Sequence, residues 1–248
     1  MIAIGRRSTS DETRRARPYP SGEISYKAEW MKTGEDPVFS PTVFLYEQPG
    51  DTTWSAHFHH NNQFQVFIEG AGKIGPRTIG PVVVHYAGAY TGYGPLKASS
   101  EGLKYFTFRT VHEAGAVRVK DVQAGTADWP EGPRRHATSK QIGILPAEAL
   151  ASLSSPETTA LIPAADDGLE VRAVALPPAC PLGRMEFGRA AGIFLFVMGG
   201  ELVGELGPLG AHESLYATAD EAFPTLAAGP RGCHLLVLAM PERDSAFG

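Results

Sequence analysis

Apolar and polar residues alternate with a period of two through much of this chain, in short runs stopped by Gly and Pro, the pattern of β-strands joined by turns. Across residues 54–60 the alternation puts His57 and His59 on one face and Phe58 and His60 on the other. Asn61 and Asn62 supply turn chemistry, and residues 63–68 read as the returning strand, with Gln63, Gln65 and Phe67 on one side. Ahead of this hairpin, ISYKAEW and SPTVFLYEQPG read as two strands separated by a turn-rich segment at 33–37. After it, KIGPRTIG, PVVVHYAGAYTGYGPL and GLKYFTFRTV read as three more. In residues 82–87 the period places Val83, His85 and Ala87 opposite Val82, Val84 and Tyr86.

The pattern weakens between about 110 and 168. DVQAGTADWPEGPRRHATSKQ is polar and rich in turn formers, while residues 146–154 suit a short helix, with Pro at its start and Glu148 in the first turn. From about Leu169 the strand punctuation returns in LEVRAVALPPAC, RMEFG, IFLFVMGGELVGELG, LYA, AFPTL and GCHLLVLAMPE. The unbroken apolar run 193–198 predicts a strand buried on both faces. Residues 1–22 carry Arg6, Arg7, Arg14, Arg15 and Arg17 with little to bury, and are expected as a mobile arm. The expected organisation is therefore an arm (1–22), a first β-domain (23–112), a linker with a short helix (113–168) and a second β-domain (169–248).

Composition narrows the function classes. With 28 Gly and 20 Pro scattered through 248 residues, an all-β protein with many short strands is favoured. A net charge of −5 argues against a partner held by phosphate contacts, so no nucleic acid is expected. Cys180 and Cys233 are too far apart for a knuckle or a disulfide scaffold. The first residues lack the apolar core of a signal peptide and no run of about eighteen apolar residues occurs, so the expectation is a soluble cytoplasmic protein without a membrane partner. Gly-x-Ser-x-Gly and phosphate-binding glycine loops are missing, which argues against a serine hydrolase and against nucleotide cofactors.

The chemistry-bearing stretch is WSAHFHHNNQFQVFIEG. Two imidazoles on one strand face, with a carboxamide brought opposite by a turn, make a three-point donor set, although histidines on such a strand also commonly just face water. His57-x-His59, three residues, Gln63, six residues and Gly70 resemble the first motif of the cupin superfamily, in which Glu usually stands where this chain has Gln63. The resemblance implies two antiparallel jelly-roll β-barrels in one chain, a bicupin, with a divalent ion (Zn, Fe, Mn or Ni) held in the first by His57, His59 and Gln63. The family's second motif falls near Tyr93-Gly94-Pro95-Leu96, but 94–104 contains neither the His nor the Asn of that motif. His85, on a neighbouring strand, is the candidate for the missing ligand or for a partner of one. A donor set without a carboxylate is neutral and leans toward imidazole-friendly ions.

Tyr86 and Tyr93 are weak candidates for proton transfer, since aromatic residues are also ordinary strand formers. His112 and His136 are expected to be solvated, and His212 and His234 to serve surface or packing roles. In the second half CPLGRMEFG stands where the His-x-His pair would fall, so that half is expected to lack a site. Two functions are compatible with these residues. One is a metal-dependent dioxygenase or isomerase acting on a small carboxylated or hydroxylated molecule, and the other a non-catalytic module that binds such a metabolite. A homodimer is expected by analogy with the family.

Overall fold

The computed structural model describes the chain apart from residues 20, 114, 184–188, 222 and 248. It divides into two compact units: residues 8–142 with 243–248, and residues 1–7 with 143–242. Each is built on one antiparallel sheet, and helix is confined to short segments such as Arg7–Thr13 and Ala147–Ala151. No helix among the described residues is long and apolar enough to cross a membrane.

In the 8–142 unit the strand order is His136–Thr138, Val83–Ala87, Gln63–Ile74, Leu96–Arg109, Thr42–Gln48, Ile24–Lys32 and Arg15–Pro18. Thr53–Trp54 adds to Leu96–Arg109, and Arg77–Ile79 to Gln63–Ile74. The centre is apolar, with Phe67, Ile74, Ile79, Val83, Leu96 and Leu103 packed together. In the 143–242 unit the order is Ile2–Gly5, Ser214–Thr218, Ala190–Gly204, Leu226–Pro241, Glu170–Leu176 and Glu157–Ile162. The run 193–198 is buried on both faces as its sequence predicts, from Ile193 at 4% exposure to Met198 at 3%.

Closed barrels were expected, and neither sheet closes: each runs from one edge strand to another without return. The edges explain it. Arg15–Pro18 is exposed at every position and carries two Arg and a Pro, which block further pairing, and His136–Thr138 is only three residues long. The expected boundaries also differ from those observed. Residues 1–22, read as a mobile arm, contain a strand at each end of a helix: Ile2–Gly5 pairs with Ser214–Thr218, with Ile2 and Ile4 packed on that unit's core, and Arg15–Pro18 pairs with Ile24–Lys32. Two isoleucines in period two are the strand signal there, set among charges that suit a solvated tail. Residues 113–168, read as a linker, are shared between the units and add strands at His136–Thr138 and Glu157–Ile162. Their polar side chains suit edge strands, where only the backbone must pair.

The two sheets share one local device. Gly70 has φ +78°, and a Cβ there would lie 2.1 Å from the Gly102 carbonyl oxygen; Gly200 has φ +71°, and a Cβ there would lie 2.1 Å from the Gly232 carbonyl oxygen. Only glycine allows both the left-handed conformation and that approach of backbones. Both pairs of glycines stand 130 positions apart.

Candidate functional site

Four strands of the 8–142 unit direct polar side chains inward from an otherwise apolar sheet. The predicted strand over 54–60 is broken into Thr53–Trp54, which pairs with Leu96–Arg109, and His57–Phe58, which pairs with Val117–Arg118 while His57 also exchanges backbone hydrogen bonds with Tyr93 (3.1 and 3.0 Å). The predicted facing is observed: the rings of His57 and His59 lie 5.4 Å apart, edge to face. Asn62 ends the turn with its Oδ1 accepting the Ala89 N–H at 2.8 Å. Gln63, at 1% exposure, begins the returning strand Gln63–Ile74.

These residues open onto a cavity of about 580 Å³, within the usual range for a small-molecule site. Its wall includes His57, His59, Gln63, Gln65, Tyr93 and Arg109. His57 donates from Nδ1 to the Ser55 carbonyl (2.7 Å), leaving Nε2 to accept the Tyr93 hydroxyl at 2.9 Å. The same hydroxyl accepts from Gln63 Nε2 at 2.6 Å. Gln63 Oε1 takes two hydrogen bonds from Arg109, from Nη2 at 2.8 Å and Nε at 3.1 Å. Arg109 Nη2 also lies 3.2 Å from His59 Nε2 and 3.1 Å from Nδ1, while Nδ1 is 3.1 Å from Glu113 Oε1. Glu113 is therefore the acceptor for the Nδ1–H, and Nε2 faces the guanidinium.

Burial sets the protonation states. It pushes His59 down to about 3, with the neighbouring Arg109 charge acting in the same direction, and it lowers His57 as well. Both imidazoles are neutral near pH 7. Burial raises Tyr93, so its phenol stays protonated. Burial also pushes Glu113 up, but hydrogen bonds and charge from His59 and Arg109 outweigh it and hold the carboxylate below its usual range. Burial lowers Lys27, opposed by Glu29, whose Oε1 is 2.9 Å from the ammonium.

The structure brings His57, His59, Gln63 and Tyr93 together on one cavity. His85 is buried at 1% exposure and stands behind the cavity wall: its Nδ1 donates to Gln65 Oε1 at 3.1 Å and its ring packs 5.1 Å from that of Tyr93. Tyr86 packs on Phe64 (5.4 Å between centroids) and does not line the cavity. Of the remaining histidines, His136 is exposed, but His112 is half-buried rather than solvated. His234 is buried and accepts the Leu145 N–H at 3.1 Å, a packing role. All of RMEFG (184–188), within the stretch where the second half's His-x-His pair would fall, lies outside the described residues.

Arg109, Glu113 and Lys27 were missed by sequence reasoning. For Arg109 a signal existed: it continues the inward phase of Leu103, Tyr105 and Thr107, and a cation in that phase is unusual. Glu113 had none, because it reaches the site from a loop.

As folded, these residues do not fit a divalent ion. Each candidate donor is engaged: His57 Nε2 by Tyr93, His59 Nε2 by Arg109, and Gln63 Oε1 twice by Arg109. A fixed positive charge sits where the ion would have to enter, and no carboxylate replaces the missing Glu ligand. Among the described residues no three His, Cys, Asp or Glu side chains are grouped to hold a metal.

No protein-family model matches the chain, and no curated protein matches it significantly. Solved structures do. A candidate dioxygenase from Nostoc punctiforme superposes with TM-score 0.63 at 13% identity, covering 99% of this chain and 84% of that one. The bacterial pirin YhhW from Escherichia coli, in complex with nickel(II), gives 0.56 at 11%, covering 97% and 99%. A point mutant of Bacillus subtilis oxalate decarboxylase gives 0.56 at 11%, covering 95% and 77%, and another structure of that enzyme concerns its Mn(II) centres. These are cupin-family proteins, and at such identities the likeness shows a shared fold.

Proposed function

We propose that the 8–142 unit binds a small polar molecule, carboxylated or hydroxylated, in its cavity. The observation that carries this reading is the convergence of His57, His59, Gln63, Tyr93 and Arg109 on one cavity of ligand size. A cavity of this size lined by a few convergent polar groups is the usual form of a small-molecule site. The test is a ligand-observed NMR screen of small carboxylic acids, phenols and polyols against wild type and Ala116→Trp. Ala116 is an exposed residue on the cavity wall, so its replacement fills the entrance without disturbing the core. Binding by wild type that is lost in Ala116→Trp supports the reading; no binding by wild type overturns it.

A second reading, a metal-dependent dioxygenase or isomerase, draws on neighbours that carry nickel(II) or manganese(II) and on the His57/His59 pair. It requires Arg109 to give up Gln63 and His59. Elemental analysis of protein purified without a His tag or chelator, beside His57→Ala/His59→Ala, separates the two: near-stoichiometric metal lost in the variant favours the enzyme.

A further inference from the structure

We propose that Arg109 takes the place of a metal ion: the cavity anchors the carboxylate of its ligand on the Arg109 guanidinium, without a divalent cation, and seats a flat aromatic body against the tyrosines and tryptophan of the wall. The proposal rests on the small-molecule reading of this cavity and specifies the ligand and its anchor.

Arg109 is 4% exposed, yet among the described residues no carboxylate oxygen lies within ion-pair distance of it. Its bonded partners, Gln63 and His59, are neutral, and the His59 imidazole stays so because of burial and of Arg109 itself. The carboxylates that act on it, Glu113 and Glu29, do so from beyond bonding distance, and burial still outweighs them, so this buried cation has no anion bonded to it. Nε and Nη2 are used, whereas Nη1 meets no protein acceptor among the described residues, and the side chain lines the cavity. The protein thus supplies a guanidinium with a donor directed at open space. A planar carboxylate matches that fork.

The other charges do not provide the missing anion. Glu113 is occupied: Oε1 accepts from His59 and the His60 N–H, and Oε2 from the Asn61 N–H. Asp121 is bound to Arg118 at 2.8 Å. Counting Lys27, Arg109, Arg118 and Lys120 against Glu113 and Asp121, the cavity wall is cationic in a chain whose net charge is −5. Such a local reversal of sign draws an anion rather than a cation.

The wall gives the shape of the rest of the ligand. Tyr19 and Tyr46 flank Trp54 at 4.9 and 5.8 Å between centroids, and Tyr105 continues the surface 5.5 Å from Tyr46. Trp54 remains 37% exposed at the mouth, an apolar plane open for stacking. Carboxylate at Arg109 and ring at Trp54 describe an aromatic carboxylic acid.

The probe is benzoate, with benzamide as its neutral isostere, measured by saturation-transfer NMR in the presence of EDTA. Benzoate is expected to bind at least tenfold more tightly than benzamide, and 1 mM MnCl₂ in place of EDTA to leave its affinity unchanged. Gln63→Glu places a carboxylate where Arg109 already bonds, so benzoate affinity falls at least tenfold while the variant stays folded and takes up no metal; Arg109→Met gives the same loss. Equal binding of benzoate and benzamide, benzoate binding that requires the metal, or a Gln63→Glu variant that retains benzoate affinity overturns the proposal while leaving the cavity a binding site. No binding of either probe overturns this proposal alone when the broader screen finds another ligand, and both readings when that screen is also empty.

Discussion

The two units carry the same sheet with different interiors. Carrying the 130-residue spacing of Gly70/Gly200 and Gly102/Gly232 along the strands sets Gln63 against Ile193, Gln65 against Leu195, His85 against Leu215, Thr107 against Val237 and Arg109 against Ala239. The registers agree: Gln65 pairs with His85 across strands in one unit, as Leu195 pairs with Leu215 in the other. Each of these positions, polar in the first unit, is a core residue in the second, since Ile193, Leu195, Leu215, Val237 and Ala239 belong to one apolar cluster. One backbone therefore serves either as a packed core or as a cavity with a buried cation. Side-chain polarity on a single strand phase decides which.

The largest expected effect comes from crossing the two interiors. Ala239→Arg puts a guanidinium where the neighbours are aliphatic, and it should lower stability by about 3–5 kcal/mol or prevent folding of that unit, as read from urea denaturation followed by circular dichroism. Only a small change in midpoint would mean that the second interior also holds a cavity.

The shared device should be expensive to break in both units. Gly70→Ala and Gly200→Ala each bring a Cβ to 2.1 Å from a backbone oxygen at positive φ, and each should destabilise by about 2–4 kcal/mol. Unequal losses would sharpen the comparison by showing that one sheet relaxes where the other cannot.

Acid should distinguish the units next. His59 and His85 are both held near 3 by burial, against an ordinary value of 6.5, so between those limits the unfolded chain binds protons that the folded unit does not. Stability is complete above about pH 6.5 and declines as pH falls toward 3, by roughly 1.4 kcal/mol per pH unit for each such group. The 143–242 unit has one comparable described histidine, His234, held at about 4. All three tryptophans, Trp30, Trp54 and Trp129, lie in the 8–142 unit, so tryptophan fluorescence follows it selectively. His85→Gln should flatten that acid slope, and an unchanged slope would show that His85 is not part of it.

The smallest effect is expected from the residue at the centre of the site. Arg109→Met removes a buried charge whose protein partners are neutral, so stability should change by no more than about 1.5 kcal/mol while ligand binding is lost. A loss well beyond that would make Arg109 a structural residue first.

Several of these features were legible in the sequence. Period-two alternation placed the principal strands, and the His57-x-His59, Gln63 and Gly70 spacing pointed to the hairpin whose side chains line the cavity. Others were hidden for definite reasons: Ile2–Gly5 and Glu157–Ile162 are edge strands that need backbone pairing more than apolar side chains, and Glu113 enters the site from a loop. His85 was in the right phase but one residue too far, because Gln65 stands across the register from it.

The sequence by itself determined which residues share a strand face, since that follows from a two-residue repeat and needs no partner. What faces what is a long-range property. Arg109 and Gln63 are 46 positions apart, and only the antiparallel pairing of Gln63–Ile74 with Leu96–Arg109 brings a guanidinium onto a carboxamide. Pairing register, set by the whole sheet, decided the chemistry of the site.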